Sequence, residues 1–153
     1  MILTLGLSAV VNAAGYGVID LEKVVESSQY LKQQNASLEA SIKPQASKLE
    51  QLNKELATLQ KQSQTQGANL KQIESQYQAK MTEFTTLQQS VQSRVQTTIQ
   101  NTNKTFEARV KQAAEQLRQE NSLDLVLNKN AALAFDSKYD LTAKMIQKVN
   151  AIK

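Results

Sequence analysis

The longest pattern in the chain is an apolar stripe with spacings of three and four residues, carried by two segments that a polar stretch separates. The first segment runs from Leu38 to Leu59 and the second from Leu70 to Leu117. Its members are Leu38, Ile42, Ala46, Leu49, Leu52, Leu56 and Leu59, then Leu70, Ile73, Tyr77, Met81, Phe84, Leu87, Val91, Val95, Ile99, Phe106, Val110, Ala114 and Leu117. This spacing predicts two helices, each with one narrow apolar seam.

Glycine and proline are nearly absent from this region, and their positions predict how the helices are joined. Between Asp20 and Ser122 the chain holds one proline, Pro44, and one glycine, Gly67. Gly67 lies in the polar stretch, and glycine adopts backbone conformations that end helices. We therefore predict a tip at residues 63–69, where the chain reverses so that the two seams close on each other as an antiparallel coiled coil.

Two residues, Pro44 and Asn103, depart from this helical pattern. Pro44 removes a helical hydrogen bond, so a kink or break is expected at residues 41–43, either as a hinge or as a fixed bend. Asn103 occupies a place in the second stripe where an apolar group is expected, and a polar residue there is expected to set the register of the two helices.

The segments outside the stripe have the pattern of short strands and short helices. Residues 16–19 are β-prone, and Asp20 is a plausible N-cap for a helix that begins at Leu21 and is interrupted at residues 27–28. Later, the apolar runs 123–127 and 131–135 flank a polar triplet and predict a β-hairpin. Asp140 is the predicted N-cap of a last amphipathic helix over residues 141–152.

The predicted fold is mainly α with a small β body, from which a long antiparallel helical hairpin projects. We assign residues 14–40 and 110–153 to the body and residues 41–109 to the hairpin. About fifty residues make a small core, and association with other copies is the usual remedy. The strand residues expected to support this oligomerisation are Val18, Ile19, Leu125, Val126, Leu127, Leu133 and Phe135.

Charge is unevenly distributed. The net charge is +4, and from Lys43 to Arg118 we count eleven basic residues against six glutamates, a surplus of five. A basic hairpin suits acidic proteins, anionic lipid surfaces or nucleic acid, and charge alone does not choose among them. The alternative is an ordinary solvated helix face. The candidate electrostatic surface consists of Lys54, Lys61, Lys71, Lys80, Arg94 and Lys104.

Composition argues against catalysis. The chain has no cysteine and no histidine, which removes thiol nucleophiles, the commonest general base and the commonest zinc ligands. It has no glycine-rich phosphate loop, and its carboxylates are dispersed along helix faces at spacings that suit ion pairs. We therefore predict no enzyme activity, no catalytic residues, no cofactor and no metal.

The first residues are typical of an export signal. Residues 2–11 are apolar but too few to span a bilayer, and residues 11–13 suit a signal peptidase, which predicts a signal peptide over residues 1–13. The basic residues that usually precede the apolar stretch are missing, since the first basic residue is Lys23. A buried strand is the alternative interpretation.

The whole arrangement resembles the Skp/OmpH family of periplasmic chaperones. The resemblance is carried by the strand at residues 16–20, the long hairpin, residues 121–127 with 130–135, and the terminal helix. It implies a homotrimer with a central β body, three hairpin arms around a cavity, and binding of unfolded outer-membrane proteins in that cavity without ATP. It also implies export to the periplasm of a Gram-negative bacterium.

The resemblance leaves two other classes of function open. One is a structural coiled-coil protein of the envelope that binds no clients. The other is a basic protein that binds anionic lipid or nucleic acid; lipid contact is compatible with the holdase interpretation, whereas nucleic acid is not expected there. The lipopolysaccharide patch of some family members is not carried over, because residues 95–99 have threonines where paired arginines are expected.

Overall fold

The computed structural model describes residues 15–65, 67 and 69–153, so the predicted signal peptide at residues 1–13 lies outside the described residues. The chain divides into two compact units. The base unit contains the described residues 15–28 together with Ala108–Lys153, and the hairpin unit is Gln29–Glu107. Residues 29–40, which we expected in the body, are therefore part of the hairpin unit.

In the part of the chain that the structure describes, four α-helices and two short strands make up the fold. Strand β1 is Tyr16–Ile19, followed by α1 at Leu21–Ser27 and α2 at Gln29–Ser63. After the tip come α3 at Leu70–Glu120, β2 at Leu125–Asn128 and α4 at Thr142–Ala151. Single turns of 3-10 helix lie at Lys129–Ala131 and Ser137–Tyr139. The predicted class, mainly α with a small β body, is confirmed.

The reversal between α2 and α3 occurs where the sequence predicts it. Gly67 has φ 83°, in the left-handed region that disfavours side chains, and a Cβ atom added there would have no neighbour within 4 Å. The conformation of the tip, not crowding, therefore requires glycine. Ion pairs join Lys48 to Glu83 and Lys80 to Glu55, and these pairings show that the two legs run antiparallel side by side.

Of the kink or break expected at Pro44, the break is wrong, because α2 continues through this residue from Gln29 to Ser63. The kink stays a prediction. Proline removes one amide donor from the helical ladder, but the turns on both sides keep theirs. Just before Pro44, the hydroxyl of Ser41 donates to the carbonyl of Leu38 at 2.8 Å. A long helix that packs along one side tolerates the loss of one hydrogen bond.

The seam follows the predicted stripe over most of its length and leaves it near residue 99. Leu52, Leu56 and Phe106 are buried as predicted, whereas Ile99 is 47% exposed. Thr102, three residues after Ile99, is buried, and Asn103 is exposed. The expectation that Asn103 sets the register from within the seam is therefore wrong.

The two strands pair with each other in parallel. Tyr16 is opposite Leu125 and Ile19 is opposite Asn128. The predicted β-hairpin is wrong, because the run 131–135 forms no strand and Leu133 is fully exposed. The side chain of Lys129, which lies in the predicted loop of that hairpin, forms an ion pair with the carboxylate of Asp20. The chain after β2 forms a 3-10 turn at Lys129–Ala131.

Of the two predicted N-caps, Asp20 caps its helix, whereas the N-cap of α4 is Leu141 and Asp140 lies one residue before it. The carboxylate of Asp20 accepts the amide proton of Lys23 at 3.2 Å, so it caps α1, which ends at Ser27 as predicted. The carboxylate of Asp140 accepts from the amide of Thr142 at 2.8 Å, where α4 begins one residue later than expected. The Thr142 hydroxyl in turn accepts from the amide of Asp20 at 2.9 Å, which links α4 to the start of α1.

The base unit has a compact core. Its fully buried apolar side chains come from β1, α1, the end of α3 and α4, and they are Val18, Val24, Ala113, Leu117, Met145 and Val149. Gly17 lies close against Leu141, the residue before α4, since a Cβ atom there would be 2.5 Å from a methyl group of Leu141. These contacts hold β1 against the helices of the unit.

Candidate client-binding surface

Two of the six predicted cations on the hairpin unit are in ion pairs. Nζ of Lys54 lies 2.6 Å from the carboxylate of Glu50, one helical turn away. Nζ of Lys80 lies 2.7 Å from Oε2 of Glu55 on the other leg and 3.8 Å from Glu83. The charges of Lys54 and Lys80 are therefore balanced within the hairpin.

These pairs belong to a chain of charges that joins the legs. Lys48 of α2 lies 3.3 Å from Glu83 of α3, and Gln51 donates to the remaining oxygen of Glu55 at 2.7 Å. The hydrogen bond from Lys80, followed by the one from Gln51, lowers the pKa of Glu55. The same hydrogen bond raises the pKa of Lys80. Both groups are therefore charged over the whole neutral range.

Three of the other predicted cations, Lys61, Lys71 and Lys104, have no carboxylate oxygen within 4 Å among the residues that the structure describes. Arg94 also makes no ion pair among these residues, but it lies against the side chain of Gln45. With the amide group of Gln45 turned so that its oxygen faces Arg94, that oxygen accepts a hydrogen bond from the guanidinium at 3.2 Å.

Two further cations of the hairpin unit, Lys32 and Lys43, likewise have no ion-pair partner in the described part of the chain, and sequence reasoning missed them. Lys32 has no acidic residue three or four positions away in the sequence, which is a signal that was available. Lys43 has Glu39 at that spacing, so only the structure shows that the pair does not form.

Apolar side chains are also accessible on the hairpin unit. Leu70, at the start of α3, is 58% exposed, and Ile99 is 47% exposed. Tyr77 and Met81 are half-buried at the side of the seam. Unpaired cations and partly exposed apolar groups therefore occur on the same pair of helices, and together they offer many weak contacts.

The strand residues predicted to support oligomerisation differ in accessibility. Val18 and Ile19 are buried in the core, and Val126 and Leu127 are half-buried in β2. Leu125 is 42% exposed. Leu133 and Phe135 lie outside any strand and are exposed. Elsewhere in the base unit, the rings of Tyr16 and Tyr139 lie 4.5 Å apart between centroids. The base unit thus presents apolar surface of its own.

The described residues offer neither a metal-binding cluster nor a membrane-spanning helix. They contain no group of three or more acidic, histidine or cysteine side chains arranged to hold a metal ion. Within the same part of the chain, every helix is too short or too polar to cross a membrane.

Comparison with known proteins assigns the chain to a family. The family model for outer membrane protein (OmpH-like) matches residues 15–149, which is most of the chain. The chain belongs to the OmpH-like family. Among curated proteins, none matches it significantly.

A solved structure of an OmpH-like protein agrees with this fold. The protein comes from Caulobacter crescentus CB15 and has been proposed to be an outer membrane chaperone. The two chains superpose with a TM-score of 0.74 at 21% sequence identity, over 91% of this chain and 85% of the other. At this identity the match establishes the fold, and it agrees with the helical hairpin and the small β body described above.

Proposed function

We propose that this OmpH-like protein is a periplasmic holdase that binds unfolded outer-membrane protein precursors without ATP and prevents their aggregation. One observation carries the proposal: among the described residues, the hairpin unit exposes cations without ion-pair partners together with accessible apolar groups. Unfolded precursors offer acidic and apolar segments. A surface of many weak contacts binds such segments without fixing one conformation.

Association of several copies would strengthen this binding. The exposed apolar residues of the base unit, among them Leu125, Leu133 and Phe135, support contact between copies of the chain. In a homotrimer, the hairpin units of three copies would surround one client, and contacts that are weak individually would add up through effective concentration. The neighbour from Caulobacter crescentus supports the chaperone role because it shares the fold and has been proposed to be a chaperone.

The test is suppression of aggregation. A urea-unfolded outer-membrane β-barrel protein is diluted into buffer with and without this protein, and light scattering is followed at low and high salt. We expect scattering to be suppressed, with weaker binding as salt rises because exposed charges are screened. A protein that stays monomeric and leaves scattering unchanged contradicts the proposal.

One alternative has support from the charge distribution. The unpaired cations also suit an anionic lipid surface, and lipid contact is compatible with a holdase. Binding to anionic vesicles that is stronger and more salt-dependent than binding to the unfolded protein would favour lipid as the main partner. A structural coiled coil would instead bind one fixed partner and leave aggregation unchanged.

A further inference from the structure

The two edges of the hairpin, where α2 and α3 meet on either side of the seam, have different chemistry. The ion-pair edge contains the charges that cross between the legs, Lys48, Glu55, Lys80 and Glu83. Its groove, of about 630 Å³, is lined by Lys54, Glu55 and Lys80 and by glutamines such as Gln62 and Gln76, with Leu59 and Ala79 between them. Most of the polar groups on this edge therefore already have partners within the hairpin.

The apolar edge lies on the opposite side. Near the tip it has a groove of about 400 Å³, lined by the apolar residues Leu59, Leu70, Ile73 and Tyr77. The polar lining includes Gln60 and Gln78, and the single carboxylate is Glu74. Between the legs, no ion pair crosses this edge among the residues that the structure describes.

A second groove continues the apolar edge at the other end of the hairpin unit. It measures about 160 Å³ and is lined by Leu31, Leu38 and Ile99 among polar residues. Steps of three and four residues lead from Tyr77 through Met81 to Ile99, so both grooves lie on one edge of α3. Apolar side chains thus line this edge at both ends of the hairpin unit.

We infer that clients bind along the apolar edge, and that the occupant is an unfolded polypeptide segment with apolar side chains and acidic neighbours. This inference rests on the proposed holdase function and names the part of the hairpin that performs it. The larger groove is on the ion-pair edge, but a client entering it would have to compete with charges that are already paired. On the apolar edge, binding covers exposed carbon surface and disrupts no cross-leg ion pair.

The composition of the apolar edge favours a mobile client over a second copy of the chain. A stable helix pair needs a continuous apolar stripe, whereas here Leu70, Met81 and Ile99 are separated by glutamines and threonines. Glutamine amides both donate and accept hydrogen bonds, which suits the unpaired backbone of an unfolded segment. Lys61 and Lys71 emerge from the same end of the hairpin without ion-pair partners, and their charge complements acidic neighbours in the client.

The absence of cysteine allows a direct test. Single cysteines are introduced at two matched pairs of exposed glutamines, Gln60→Cys and Gln78→Cys on the apolar edge, Gln62→Cys and Gln76→Cys on the ion-pair edge. Each variant is labelled with a benzophenone maleimide and irradiated with a urea-unfolded outer-membrane β-barrel protein. Gln60 is matched with Gln62 on α2, and Gln78 is matched with Gln76 on α3. The two members of each match are two residues apart on the same leg and are both exposed, so helix position and exposure are closely matched.

We expect crosslinking to the client to be roughly fivefold stronger from the apolar edge, a preference of about 1 kcal/mol. Equal yields from both edges, or stronger yields from the ion-pair edge, overturn the inference while leaving the holdase function in place. Suppressed aggregation without crosslinks from any of the four sites also overturns it. Failure of both crosslinking and suppression overturns the holdase function itself, and the inference with it.

A substitution provides a second readout. Leu70→Gln and Ile99→Gln change exposed side chains, so both variants are expected to fold. We expect the double variant to bind the unfolded client about threefold more weakly, while the matched double variant Gln62→Ala and Gln76→Ala binds as the parent does. If the two double variants bind the client equally well, the inference is wrong.

Discussion

The base unit and the hairpin unit bury their apolar side chains in different ways. The base unit surrounds Val18, Val24, Leu117 and Met145 from several elements, and each is at most 1% exposed. In the hairpin unit, two helices share one seam, and most of its apolar residues stay half-buried. A unit with a core has its stability concentrated in a few residues, whereas a unit with a seam keeps most of its surface available for partners.

The largest loss of unfolding free energy is expected from Leu117→Ala, which tests the difference between the two units. Leu117 is fully buried in the base unit, so its truncation leaves a cavity and should cost about 2–5 kcal/mol of unfolding free energy. The matched control is Leu70→Ala, the same change at a site that is 58% exposed, which should cost less than about 0.5 kcal/mol. Urea unfolding followed by circular dichroism measures both. Equal losses of unfolding free energy in the two variants would contradict this difference between the two units.

A smaller effect is expected at the tip. Gly67→Ala forces a side chain into φ 83° and should cost about 1–2 kcal/mol, although no atom obstructs the new methyl group. Gly67→Asn is the control, since asparagine tolerates the left-handed region better. Thermal unfolding of the two variants gives the comparison. An alanine variant as stable as the parent would show that the tip does not need this conformation.

The smallest effect is expected from Asp20→Asn in the base unit. Asparagine keeps the N-cap but loses the charge that Lys129 stabilises, and the hydrogen bond from Lys129 lowers the pKa of Asp20. Because the folded-state pKa lies below the unfolded value of about 3.9, the charge stabilises the fold above that pH. This contribution is lost as the pH falls through the lowered pKa. Unfolding at pH 7 and below pH 4 should therefore show the parent's advantage over the variant shrinking in acid, and a constant advantage would contradict the assignment.

Sequence reasoning predicted the helices and the tip because these depend on local signals. The apolar spacing, the single glycine and the capping aspartates each act within a few residues, and Leu52, Leu56 and Gly67 lie as expected. The predicted stripe leaves the seam at Ile99 because a helix of 3.6 residues per turn drifts away from a fixed pattern, and Thr102 is buried there while Ile99 is exposed.

The β pairing could not be predicted because it depends on distant residues. The runs at residues 123–127 and 131–135 have the local pattern of a hairpin, yet β2 pairs with Tyr16–Ile19 far away in the chain. The buried carboxylate of Asp20 forms an ion pair with Lys129, which lies in the predicted loop of the hairpin, and no local sequence signal reveals this distant partner. The electrostatic surface was predicted only in part for a similar reason: the Lys80–Glu55 pair forms across the two legs, and no spacing along one helix reveals it.

The central claim is that the unpaired cations of the hairpin hold unfolded outer-membrane proteins. Its most direct test measures client affinity at low salt for two triple variants that lose the same charge. Lys61→Gln, Lys71→Gln and Lys104→Gln remove unpaired cations, while Lys48→Gln, Lys54→Gln and Lys80→Gln remove cations held in ion pairs. We predict that the first variant binds the client about threefold more weakly than the second. Equal affinities, or a weaker second variant, would contradict the claim.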